Sequence, residues 1–212
     1  MSIVATLITS AHPSLRLSKR LIDVAIATIM LVVLLPLMLL IALLVKLTSP
    51  GPVFYRRAIP GLNGEAFEVL KFRSMVQDAH ELMTSDSALR EEYARNLKIK
   101  NDPRITVVGG LLRKTSLDEL PQFINVLAGD MSLVGPRMLG DIELARYGEH
   151  QGKVLSVKPG ITGLWQIGGR HRTSFEDRIR LDMDYIDHWS LGLDWRILLR
   201  TPLAVVSMAG AN

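Results

Sequence analysis

The sequence predicts a helix-rich chain with a β-hairpin, held to a membrane by an apolar helix near its N-terminus. Three observations carry that expectation. Residues 24–45 form an uncharged run of 22 residues, two aromatic and β-branched runs follow it around a breaker cluster, and the rest of the chain mixes helical periodicity with Gly/Pro punctuation. The 212 residues suit one domain plus an anchor, dividing the chain into an N-terminal segment with membrane helix, 1–50, and a domain, 51–212.

Composition narrows the classes further. With 48% apolar and 22% charged residues, the chain has ample surface to bury against the entropy of ordering, so disorder is excluded. It has no cysteine, which removes disulfide scaffolds, Cys-ligated metals and thiolate nucleophiles. His12, His80, His150, His171 and His188 form no i, i+3 or i, i+4 pair, so a helical histidine metal site is not expected. Charge is uneven: the first 73 residues carry 8 basic and 3 acidic side chains, the remainder 17 and 18. A nearly neutral body argues against nucleic acid, whereas bases around an apolar run suit anionic membrane lipids.

The uncharged run follows Arg16, Lys19 and Arg20 and precedes Lys46, Arg56 and Arg57. It exceeds the ~7–15 residues of a signal-peptide apolar region. As a straight helix it would extend about 33 Å, enough to span. Pro36 removes an amide donor and crowds the preceding turn, placing a kink near the middle. The arms before and after it reach roughly 18 and 14 Å, about one leaflet each, so a re-entrant hairpin fits as well as a Pro-kinked spanning helix. Two basic flanks agree with both ends facing the cytoplasm.

Beyond TSPGP, the runs VFYRRAI and AFEVLKF around PGLNG predict a β-hairpin. Residues 77–100 are charged, with Leu82, Leu89, Tyr93 and Leu97 near helical spacing, and predict solvated helices. DPRITVVGG is a breaker, a β-branched run and a Gly pair. Then Ser116 and Glu119 have capping-box spacing, with Leu120, Phe123, Ile124 and Leu127 following helically. That puts Asp118 and Glu119 in a first helical turn, a placement Pro121 supports and in which amides and dipole favour anions. Arg113 and Lys114 stand just before the cap.

MSLVGPR with Arg137, KPGITG with Lys158 and WQIGGR with Arg170 each combine a glycine with a basic side chain. Glycine lets backbone approach a ligand, and an arginine fork binds phosphate at two points. Together with the anchor and the carboxylate pair, they point to an anionic substrate at a membrane surface. Thr173 or Ser174 is expected to cap a helix running through Phe175, Ile179, Asp182, Ile186 and Trp189. The stretch after it sets Trp189 and Trp195 beside Arg196 and Arg200, a pattern of an interfacial amphipathic helix or of a core helix; Pro202 argues against a second span.

KRLIDVAIA with Pro36, SPGPVFYRR, KFRSM, DPRIT, LRKTSLDELPQFINVLAGDMSLVGPR, KPGITGLWQIGGR and LDMDYIDHWSLGLDWRILLRT closely resemble the bacterial sugar transferases, the monotopic polyprenyl-phosphate phosphoglycosyl transferases. The resemblance runs from about Lys19 to Thr201. It implies a small mixed α/β fold with a re-entrant membrane hairpin and a cytoplasmic catalytic domain at the bacterial inner membrane. It also implies transfer of a sugar 1-phosphate from a UDP-sugar to undecaprenyl phosphate, releasing UMP, with Mg²⁺, to begin an exopolysaccharide or other glycan. Asp118 matches the nucleophile, and Glu119 its partner, both toward the metal. Arg113, Arg137, Lys71, Arg73, Arg104, Gln166 and Arg170 match substrate phosphate-binding positions. A homo-oligomer is compatible with it, and the chain resembles the minimal catalytic form. Met138, Leu35, Val107 and Gly110 depart from common family choices (Pro, Ser and two basic residues), Leu35 removing a hydroxyl that could cap the bend at Pro36. WQIGGR is closer to members transferring glucose or galactose phosphate. Two other classes use the same residues: a Mg²⁺-dependent nucleotide-sugar hydrolase with water as acceptor, and a non-catalytic membrane assembly protein.

Overall fold

The computed structural model describes residues 13–96, 99–169 and 174–209. Its first element is a single helix, α1 (Pro13–Thr48), which runs through Pro36 without a break. It is the one helix among the described residues long and apolar enough to cross a membrane. The arms expected on either side of Pro36 are thus parts of one helix. Its buried side chains are Asp23, Ala27, Met38, Ile41 and Val45, while Val32, Val33, Leu35, Leu39, Leu40 and Leu43 stay exposed.

Polar contacts tie both ends of α1 to the body. Lys19 donates to Asp194 at 2.7 Å and to the Val134 carbonyl at 3.1 Å. Arg20 caps the carbonyls of Val126 and Leu127, and Asp23 accepts from the Ser132 hydroxyl at 2.8 Å and the Leu133 amide at 3.1 Å. At the other end, Arg73 donates to the Ser49 carbonyl and hydroxyl at 2.8 and 2.7 Å.

The expected hairpin forms. Strands β1 (Phe54–Pro60) and β2 (Ala66–Phe72) pair antiparallel from Phe54 with Phe72 to Pro60 with Ala66. Two solvated helices follow, α2 (Ala79–Ser85) and α3 (Ser87–Asn96). The β-branched VVGG opens helix α4 (Val107–Thr115), because the Thr106 side chain accepts the Gly109 amide at 2.9 Å as an N-cap. Gly109 is there for space: a Cβ on it would stand 2.0 Å from the Ser74 carbonyl oxygen.

Ser116 departs from its expected role. It lies in the left-handed region at φ 58°, and its amide closes α4 on the carbonyls of Leu112 and Arg113. It is the end of one helix rather than the side-chain cap of the next. Asp118 and Glu119 consequently sit in a 3₁₀ turn (Leu117–Glu119), which runs through helical Leu120 and Pro121 into α5 (Gln122–Ala128).

Two Gly/Pro segments that resembled loops contain strands. β3 (Ser132–Val134) and β4 (Gly160–Thr162) pair parallel, with a further bridge from Arg137 to Gly160. A Cβ on Gly160 would be 2.1 Å from the Gly135 amide nitrogen, so only glycine admits this crossing. Short helices α6 (Asp141–Ala145), α7 (Gln151–Val154) and α8 (Leu164–Ile167) fill the intervening chain. Ser174 caps α9 (Phe175–Asp187) in a capping box with Asp177, and α10 (Leu191–Ala209) continues through Pro202. The main core joins Ala27 of α1, Phe123 and Val126 of α5, Leu133 and Val134 of β3, and Tyr185 and Ile186 of α9; a second joins Met38, Ile41 and Val45 to Phe72 and Leu112.

Candidate active site

Four separate stretches of chain meet at the acidic pair. Glu119 accepts through Oε1 from Lys71 Nζ of β2 at 2.8 Å and from Arg137 Nη2, just past β3, at 3.0 Å. Both carboxylates are buried. Burial, then the neighbouring Glu119 charge, hold the Asp118 carboxyl above the usual range, while Lys71, Arg113 and Arg137 pull it down. Glu119, the first cause, keeps the Arg137 guanidinium firmly protonated. Three cations thus face two carboxylates, an excess that suits a polyanionic ligand.

Other side chains wait for partners. Arg137 Nη1 is buried without a hydrogen bond, as are both amide atoms of Gln166. Gln122, wholly buried three residues after Glu119, is in the same condition. Sequence reasoning passed over Gln122; its i+3 spacing from Glu119 was the available signal.

Two expected phosphate binders have partners within the protein, although Nε and Nη1 of Arg73 are buried without a hydrogen bond. Arg73 holds the end of α1 through Ser49. Arg104 forks onto the Asp102 carboxylate through Nε at 2.8 Å and Nη2 at 2.7 Å. Arg170 lies outside the described residues.

The donor set also bears on Mg²⁺. Among the described residues, no group of three or more His, Cys, Asp or Glu is placed to hold a metal. Mg²⁺ asks less than that, since it keeps several waters and binds through one or two carboxylates plus substrate phosphates. Asp118 and Glu119 fit, the more so because burial and mutual repulsion leave Asp118 in need of positive charge.

A family profile described as bacterial sugar transferase matches residues 14–208, nearly the whole chain. The chain belongs to the bacterial sugar transferase family. It is similar to the exopolysaccharide production protein ExoY of Sinorhizobium fredii, at 43% identity over 92% of this chain and 88% of that protein. It is 44% identical to the undecaprenyl-phosphate galactose phosphotransferase of Salmonella typhimurium, over 95% of this chain but 43% of the longer relative. The UDP-glucose:undecaprenyl-phosphate glucose-1-phosphate transferase of Escherichia coli is also 44% identical, over 88% and 39%. Every element that brings Lys71, Arg113, Asp118, Glu119 and Arg137 together therefore lies inside the stretch by which this sugar transferase is placed in its family.

Proposed function

We propose that this sugar transferase moves a hexose 1-phosphate from a UDP-hexose to undecaprenyl phosphate through a covalent intermediate on Asp118, at the start of exopolysaccharide assembly. The observation that carries the reading is the cation cluster on the acidic pair: Lys71 and Arg137 already donate to Glu119, and with Arg113 they favour the ionised form of Asp118 against its burial. In the first displacement an Asp118 oxygen attacks the phosphorus bearing the sugar, and UMP leaves with the electrons of the broken diphosphate bond. In the second, a phosphate oxygen of the lipid attacks the same phosphorus and the Asp118 carboxylate leaves. Division into two steps relieves each of bringing two free anions together. Arg113, Lys71 and Arg137 offset the charge that builds on the equatorial oxygens, and the buried Gln122 and Gln166 amides have hydrogen bonds to give. Mg²⁺ held by Asp118 and Glu119 would supply further neutralisation of the diphosphate.

Anchoring of both ends of α1 on one body supports a position of both ends at the cytoplasmic face of the bilayer. Exposed Leu199, Leu203 and Val206 on α10, with Trp195, support an interfacial position for that helix at the inner membrane. The test is UMP release from a UDP-hexose with and without undecaprenyl phosphate. Efficient release only with lipid is expected. Undiminished multiple turnover without lipid identifies a hydrolase, and none in either case an assembly protein.

A further inference from the structure

Behind Arg137 lies a buried polar cluster that the two displacements leave unused. Asp182 of α9 is 1% exposed, and its carboxylate accepts the Tyr147 hydroxyl at 2.6 Å. It also faces the backbone amide of Arg137 and the guanidinium of Arg178, one turn earlier on the same helix. Arg178, itself buried, donates to Glu143 of α6 at 2.8 Å, and Glu143 accepts the Gly140 amide at 3.0 Å through its other oxygen. The Arg178 and Arg137 guanidinium groups lie 4.8 and 5.7 Å from the Trp165 ring centre. A buried carboxylate is costly unless what surrounds it answers its charge, and here the answering groups include the amide of the residue that holds Glu119.

We propose that Asp182 is a positioning residue for the transfer: its ionised carboxylate, itself oriented by Tyr147, fixes the Arg137 backbone and through it the guanidinium that donates to Glu119. The proposal rests on the reading of the acidic pair and Arg137 as the reaction centre. Mobility of Arg137 would matter because a small misplacement of a charge-stabilising group costs rate out of proportion to its distance. The groups facing Asp182 are Tyr147 from the segment after α6, Arg178 from α9 and Arg137 from the segment after β3, with Glu143 of α6 facing Arg178 and Arg137. Burial, the largest influence, pushes Asp182 up to about 6 against the pull of the Tyr147 hydrogen bond and of Arg178. The grip is therefore stronger at pH 8 and weakens as pH falls through about 6.

The experiment measures kcat/KM of the full chain in lipid nanodiscs, with UDP-hexose and undecaprenyl phosphate, from about pH 5 to about pH 9. It compares wild type, Asp182→Asn, Tyr147→Phe, Arg137→Gln and the Asp182→Asn/Arg137→Gln double variant. At pH 8, Asp182→Asn is expected to lose about tenfold alone but less than about twofold in the Arg137→Gln background, because a group acting through Arg137 has nothing left to position. Tyr147→Phe is expected to move the acid limb to higher pH, since Asp182 loses a hydrogen bond that favours its charged form. Should Asp182→Asn not fold, that displacement of the limb decides alone. Equal losses in both backgrounds, or an unmoved limb in Tyr147→Phe, overturn the proposal. A wild-type rate in Arg137→Gln overturns it differently, by removing the site reading beneath it.

Discussion

Arg137 and Lys71 reach the same oxygen of Glu119, and this shared contact makes their removal asymmetric in consequence. Arg137→Gln takes away a charge that faces both carboxylates, a loss expected to cost about 2.7–4 kcal/mol of transition-state stabilisation, the scale of a preorganised donor. Arg113→Gln is expected to act in the same direction, and lysine at either position to rescue only in part for want of the two-point fork. Steady-state kcat/KM checks both; near-normal turnover in the glutamine variants would remove these residues from the site. Asp118 invites a stability measurement as well. Its carboxyl is held above the usual range, so the folded state prefers it neutral, and ionisation costs stability once pH rises above the ordinary carboxylate range. Asp118→Asn is expected to raise the thermal midpoint at pH 8 and to lose that advantage toward pH 4. Asp118, Glu119, Arg113 and Arg137 were legible as residues because acid and arginine recur in short motifs. Their partners were not: nothing in KFRSM says that Lys71 rather than Arg73 turns to Glu119, since strand alternation would set both on one face and the choice comes from β2 ending at Phe72, beyond which Arg73 meets Ser49 at the end of α1.

Elements were legible in proportion to how local their causes are. The β1–β2 hairpin followed from adjacent runs and a breaker between them, and Ser174 with Asp177 is a cap formed within four residues. The parallel β3–β4 pair joins three-residue strands from distant parts of the chain, too short to leave a period in the sequence. Ser116 misled because capping-box spacing carries no information on the sign of φ, and the closing of α4 took the residue first. At Gly109 the packing is strict: Gly109→Ala is expected to lower the thermal midpoint by several degrees, since the Ser74 backbone cannot retreat from a Cβ as a flexible side chain would. For α1, single cysteines at Ser14 and Ser49 in this Cys-free chain are expected to resist an impermeant thiol reagent in intact cells and to react after lysis. Labelling of Ser14→Cys from outside would mean a spanning helix. Pro36→Ala is expected to shift the population toward spanning, because it restores the helical bond that Pro36 lacks and straightens the segment.

At the scale of the molecule, the hairpin, α4, the 3₁₀ turn before α5 and the end of β3 each deliver one or two charged groups to a single point, while polar contacts tie both ends of the apolar helix α1 to that assembly. The arrangement suits an enzyme whose two substrates come from different phases, a nucleotide sugar from water and a phosphate on a lipid, and meet at one carboxylate in turn. Successive use of one group has a kinetic signature that direct transfer lacks. The most direct measurement is therefore exchange of labelled UMP into UDP-hexose by the purified enzyme with Mg²⁺ and no lipid acceptor, read together with the mass of the peptide containing Asp118. Exchange in the wild type, a sugar-phosphate adduct on Asp118, and loss of both in Asp118→Asn are the expected results. Efficient transfer to lipid by an enzyme that shows neither exchange nor adduct would contradict the covalent role of Asp118 and leave it a metal ligand only.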